Sequence, residues 1–207
     1  GVGGVDTWHM KNGVRQHFGK IIQQDTDDDQ ATLTVTVDWV KDDQQLMSEQ
    51  RTFVVHKPQE NGGVLIDTTS KITATTGDTV LRGDPEHAGL QFRAHEDVVQ
   101  NKSAKYLFPE GAKPGGGGTK DMPWAAMTYQ AHDNDFHVQH MSHPSLPEGN
   151  VYSAYRNYGR FGAYFVKQLA KGETGTFKVR FYVSPGAFPD GAVDAMNKRY
   201  EEYVAQV

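Results

Sequence analysis

Apolar and polar positions alternate with a period of two along most of the chain, the period of strands with one buried face. From residue 32 to 40, Leu33, Val35, Val37 and Trp39 alternate with Thr32, Thr34, Thr36 and Asp38. Residues 14–22 predict the strand before it, after a flexible start at residues 1–5 (GVGGV). The acidic run Asp25 to Asp29 predicts the turn between them, because it lacks the spacing and closing glutamate of an EF-hand loop. Residues 45–57 and 64–76 predict a further pair across the Asn61-Gly62 step, a strong turn signal. Residues 88–95 set Leu90 and Phe92 on one face and Gln91, Arg93 and His95 on the other. Strands are also expected at 124–130, 136–142, 152–156, 161–166 and 174–184, the last with Phe177, Val179, Phe181 and Val183 inward. Only the C-terminus changes period: Val193, Met196, Tyr200, Tyr203 and Val204 recur at helical spacing, which predicts one helix over 191–205 with Asp190 as N-cap and its aromatic stripe packed on a sheet. Many strands without βαβ alternation predict an all-β fold, an antiparallel β-sandwich with one C-terminal α-helix, as a single domain over 1–207.

Composition narrows the function classes. With 207 residues, a formal net charge of -5 and a pI near 6.0, the chain has no general pull toward nucleic acid or an anionic membrane. It has no cysteine, which excludes disulfides and thiolate metal sites and leaves the compartment open on redox grounds. No apolar run approaches the ~20 residues that span a bilayer. With Gly1 rather than Met at the start, either a leader has been removed or the chain begins inside a longer product. The expectation is a soluble protein, secreted or periplasmic. The glycine-rich stretch 113–119 precedes neither a GK[ST] motif nor a helix pattern, so it predicts a surface loop rather than a phosphate cradle.

Candidate chemistry concentrates between Gln139 and Phe165. His132, His137, His140 and His143 suggest a metal site, but strand geometry separates them: His137 and His143 share a face roughly 20 Å apart, and His140 points the other way. No metal and no other cofactor is expected. His143 precedes Pro144 at a strand end, where an imidazole can act as acid or base or simply stand at the rim. Glu86, in GDPEHAG, lies just before the strand carrying Arg93, a pairing that suits a structural ion pair or one half of an acid/base couple. Arg156 and Tyr158, in YRNYGRFG, offer a guanidinium fork and a phenol, and Trp124, Tyr152, Tyr155, Tyr158 and Tyr164 offer flat faces for a sugar ring.

Taken together, DWVKDDQQLMSEQRTF, RGDPEHAGLQFRAHEDV, the Trp124 strand, HMSHPSLP, YRNYGRFG and KGETGTFKVRFYVSPG, in that order, resemble the PmoA-like family of unknown function, whose members often carry the label "methane oxygenase". The resemblance points to Glu86, Arg93, His143, Arg156 and Tyr158 as recurrent polar residues. It implies a sandwich similar to the galactose mutarotase and glycoside-hydrolase supersandwich group, which binds carbohydrate on a concave sheet face and whose mutarotases use a glutamate and a histidine as base and acid. Methane oxygenation does not fit, since neither a transmembrane stretch nor copper ligands are visible. Family members usually have a further N-terminal portion with an HHRG-type motif, so part of the site is expected upstream of Gly1.

The leading expectation is a carbohydrate-active protein. Glu86 and His143 would exchange protons with a saccharide or other small polar ligand, Arg93, Arg156 and Tyr158 would hold its oxygens, and Trp124 would stack on it. Isomerisation, elimination and hydrolysis all fit such a pair, with Asp84, Glu96 and Asp97 as possible second carboxylates for a glycosidase. The alternatives are a non-catalytic carbohydrate-binding module and a structural or assembly protein. Oligomeric state does not follow from the sequence.

Overall fold

In the computed structural model, residues 4–154 and 156–206 are described. The expectation for residues 1–5 falls partly outside them, and that for Tyr155 wholly so. In chain order the elements are β1 (Val14–Thr26), β2 (Gln30–Lys41), β3 (Gln44–His56), β4 (Val64–Ala74), β5 (Thr79–Leu81), β6 (Leu90–Arg93), α1 (Glu96–Asn101), β7 (Lys105–Leu107), β8 (Trp124–Ala131), β9 (Asn134–Ser142), β10 (Val151–Ser153), β11 (Arg160–Tyr164), β12 (Lys167–Leu169), β13 (Thr174–Pro185) and α2 (Ala192–Val204).

Eight strands form one antiparallel sheet in the order β1-β2-β3-β4-β13-β9-β8-β7. Its first half is a meander, as the alternating stretches predict. The acidic turn is a hairpin: Asp27 Oδ1 accepts the backbone N–H groups of Asp29 and Gln30, each at 2.8 Å. One face of this sheet carries Phe177 and Val179 of β13 with Ala125 and Met127 of β8, and against it pack Phe161 and Ala163 of β11 and Val98 of α1. That second layer contains the small sheets β10-β11-β6 and β12-β5. The fold is therefore the antiparallel β-sandwich, and the alternation of β13 supplies its core as expected.

The opposite face of the large sheet is covered by α2. Met196 and Tyr203 pack there on Trp124, Ala126, Met141 and Tyr182. The helical stripe thus lies on a sheet as read, but the N-cap is Gly191 rather than Asp190, with φ at 67° and no side-chain cap. Glycine takes that left-handed conformation without the penalty a Cβ brings. Among the described residues no helix is long and apolar enough to cross a membrane.

Candidate functional site

Where the second layer covers the inner face of the large sheet incompletely, a cavity of about 590 Å³ remains. Its floor comes from the inward rows of β2, β3, β4 and β13, including Trp39, Glu49, Arg51, Ser70 and Phe177. Its roof comes from Trp8, the stretch between β5 and β6, including Arg82 and His87, and Gln91 of β6. Register explains why Trp39, Glu49 and Arg51 meet: Val37 pairs with Glu49 and Val35 with Arg51 on the same face.

Glu49 is buried, and both its oxygens are fully engaged. Oε1 accepts Arg51 Nε at 3.0 Å and the Ser70 hydroxyl at 2.6 Å; Oε2 accepts Arg51 Nη2 at 2.7 Å and the Trp39 indole N–H at 2.9 Å. Burial by itself would raise this carboxyl, but the Arg51 guanidinium, Ser70 and Trp39 outweigh it and hold the pKa below the usual carboxylate range. Glu49 is consequently an ionised anchor with little spare acceptor capacity, and its effect is to fix the Arg51 fork while other N–H donors of that fork remain for the cavity. On the roof, Gln91 donates its amide to the Ala88 carbonyl at 2.8 Å, and its side-chain oxygen is buried without a partner.

A second polar knot stands at the rim. The Tyr158 hydroxyl donates to Glu86 Oε1 and accepts from Arg160 Nη2 at 3.0 Å, while Glu86 lies 3.2 Å from Arg156 and 3.3 Å from Arg160. Burial, then the bond to Glu86, raises the Tyr158 phenol above its ordinary value. The Arg160 guanidinium lies 5.1 Å from the Trp8 ring centroid, and the His87 ring lies 4.9 Å from the same ring. Trp8 therefore joins the knot to the cavity. The sequence places Glu86, Arg156 and Tyr158 in one site, and the fold brings these three together; Arg160 is the member that sequence reasoning missed.

The other candidates lie elsewhere. Arg93 is exposed at the end of β6, and Glu86 pairs with Arg156 and Arg160 instead. His143 does not converge with Glu86. It continues the β9 face that carries Met141, packs its ring edge-on against Tyr203 of α2 at 5.9 Å, and accepts the Ser145 N–H on Nδ1 at 3.0 Å. The large sheet stands between His143 and the knot on β11. Burial, then Lys178, lowers the His143 pKa. Trp124 is fully buried under the same helix and donates its indole N–H to Asn197 at 2.9 Å, so it offers no ring face to a sugar. His137 packs against Phe188, in the segment before α2, whereas His140 faces the core between the layers. The separation of these imidazoles follows the strand geometry.

Among the described residues, one set of side chains has metal-ligating chemistry. His95, Asp97 and His132 bring one ligand atom each to within 4.8 Å of one another, near the N-terminus of α1 and at the β8–β9 turn. This set was missed because His132 stands 35 residues beyond Asp97; only His132 stood in the histidine-rich stretch.

Comparison with known proteins adds a family. A family model described as "Family of unknown function (DUF6807)" matches residues 1–198. No curated protein matches the sequence. Among solved structures, one provisionally named a kojibiose phosphorylase, from human microbiome, is similar at 9% identity and a TM-score of 0.39, over 84% of this chain. The chain spans 21% of the length of that protein, and at such distance the likeness bears on neither substrate nor reaction.

Proposed function

The chain belongs to this family of unknown function, and from that premise we propose that its inner-face cavity binds a saccharide, an acidic sugar in preference to a neutral one. The observation that carries this reading is Arg51, held by the saturated carboxylate of Glu49 on the floor of a cavity walled by Trp8 and Trp39. A guanidinium fixed in this way is matched to a carboxylate or a diol, and indole faces suit the apolar side of a sugar ring. Two arginines and one carboxylate line the cavity, which favours an anionic ligand. Glu86, Arg156, Tyr158 and Arg160 act at the rim by holding the Trp8 edge. The acid/base couple of Glu86 with His143 is not part of this proposal, because the large sheet lies between them.

Titration calorimetry against neutral hexoses and uronic acids tests the reading. The expected result is binding of a uronic acid, weakened on the order of tenfold or more, about 1.4 kcal/mol, in Arg51→Lys. Lysine keeps a cation beside Glu49 but loses the planar fork. Binding that Arg51→Lys leaves unchanged, or a panel with no ligand, would overturn it. Catalysis in the same cavity is favoured by one further observation: His87 lines it with Nδ1 3.6 Å from Asp84, leaving its other ring nitrogen available. NMR of the bound sugar separates the two readings, since catalysis requires a product that His87→Ala abolishes.

A further inference from the structure

On the surface outside the cavity, three side chains from two segments of the chain converge on one point, His132 lying 35 residues beyond Asp97. His95 immediately precedes α1, Asp97 lies in its first turn, and His132 occupies the turn between β8 and β9. Nδ1 is the imidazole nitrogen that faces Asp97 in both histidines: His95 Nδ1 lies 3.2 Å from Asp97 Oδ1, and His132 Nδ1 lies 3.6 Å from Asp97 Oδ2. The two rings are 4.4 Å apart. Around a tetrahedral zinc ion with bonds of 2.0–2.1 Å, neighbouring ligand atoms stand roughly 3.3 Å apart. Both separations are close to that edge, but they reach different oxygens of Asp97, so a shell closed on one oxygen requires the side chains to turn and His95 Nδ1 to exchange the Asp97 backbone N–H that it accepts at 3.2 Å for the ion.

We propose that His95, Asp97 and His132 form a surface zinc-binding site that clasps α1 to the β8–β9 hairpin. Two imidazoles and one carboxylate are a common three-ligand set for zinc, and they leave a position open to solvent. The carboxylate is already oriented: Asp97 Oδ2 accepts the backbone N–H of His132 at 2.8 Å. The turn also fixes its histidine, since His132 and Asp133 both adopt positive φ, at 49° and 60°. Neighbouring bonds cross the same seam, with Asn101 donating to the Gln130 carbonyl at 3.1 Å and the Ser103 hydroxyl accepting the Gln130 N–H at 2.9 Å. A bound ion would complete this seam.

The test is calorimetric titration of the chelator-stripped protein with zinc chloride, with cobalt(II) chloride absorption as a second readout. The expected result is one equivalent of zinc bound in the micromolar range, cobalt bands of a low-coordinate nitrogen and oxygen site, and a higher Tm with zinc. His132→Asn is the decisive variant, because asparagine tolerates the left-handed turn while removing the ligand. It should weaken binding at least about tenfold, and Asp97→Asn should do the same. Circular dichroism checks that both variants fold. An absence of zinc binding, or zinc affinity retained in both folded variants, would overturn the proposal.

Discussion

His140 sits wholly inside the core, with Nε2 3.1 Å from the Leu90 carbonyl and Nδ1 2.9 Å from the Tyr152 hydroxyl. A carbonyl only accepts, so Nε2 carries the proton and Nδ1 takes the phenol's. Burial in this site pushes the pKa down to about 4, against about 6.5 in an unfolded chain. Between those values the unfolded state binds the extra proton, so stability is full above pH ~6.5 and falls as pH drops toward about 4. The loss is of order 3 kcal/mol. Urea denaturation from pH 7 to 4 should show that slope, and His140→Gln, although less stable at pH 7, should flatten it; an equal slope in both proteins would remove His140 as the cause. The face of His140 was legible from strand alternation, but its burial was not, because the covering layer comes from β6 and β10. The same limit applies to the cavity. Glu49 and Arg51, two apart on one strand, were visible as charges, yet only pairing with β2 and β4 shows that they point inward at Trp39 and Ser70.

At the scale of elements, the long strands were readable, and of the short elements β6, β10 and β11 overlap expected stretches while β5, β7, β12 and α1 do not. The meander and β13 each repeat the two-residue period often enough to be distinctive, whereas β5, β7 and β12 span three residues each and α1 six. These short pieces acquire structure from what they pack on. Gly162 of β11 shows how narrow that packing is. A Cβ there would meet the Leu90 carbonyl oxygen and stand 2.6 Å from Gln91 Cα, on the backbone of the partner strand β6. Gly162→Ala is therefore expected to push β6 off β11, at a cost of about 1–3 kcal/mol, or several degrees in Tm for a chain of this size. Because Leu90 and Gln91 of β6 line the cavity, the variant should also weaken sugar binding without touching a ligand-facing side chain. Unchanged Tm and affinity would show that β6 adjusts freely and that the roof is not fixed through this contact.

Across the whole molecule, the large sheet divides the chain into two environments, and the tryptophans report on both. Trp8 and Trp39 line the cavity on the inner face; Trp124 lies beneath α2 on the other. A sugar stacking on an indole changes its emission, so an occupied cavity should alter intrinsic fluorescence through Trp8 and Trp39 alone. Trp39→Phe also takes a donor from Glu49, leaving a buried carboxylate one bond short at about 1–3 kcal/mol, which would confuse folding with binding. Trp8 has no such duty among its described contacts: it is partly exposed, between His87 and Arg160. Titrating a uronic acid should therefore give a fluorescence change that persists in Trp124→Phe and is substantially reduced in Trp8→Phe. Trp124→Phe loses its bond to Asn197 but leaves the inner face intact. If the change instead disappears in Trp124→Phe and survives in Trp8→Phe, the ligand lies on the α2 face, beside His143, and the cavity is not its site.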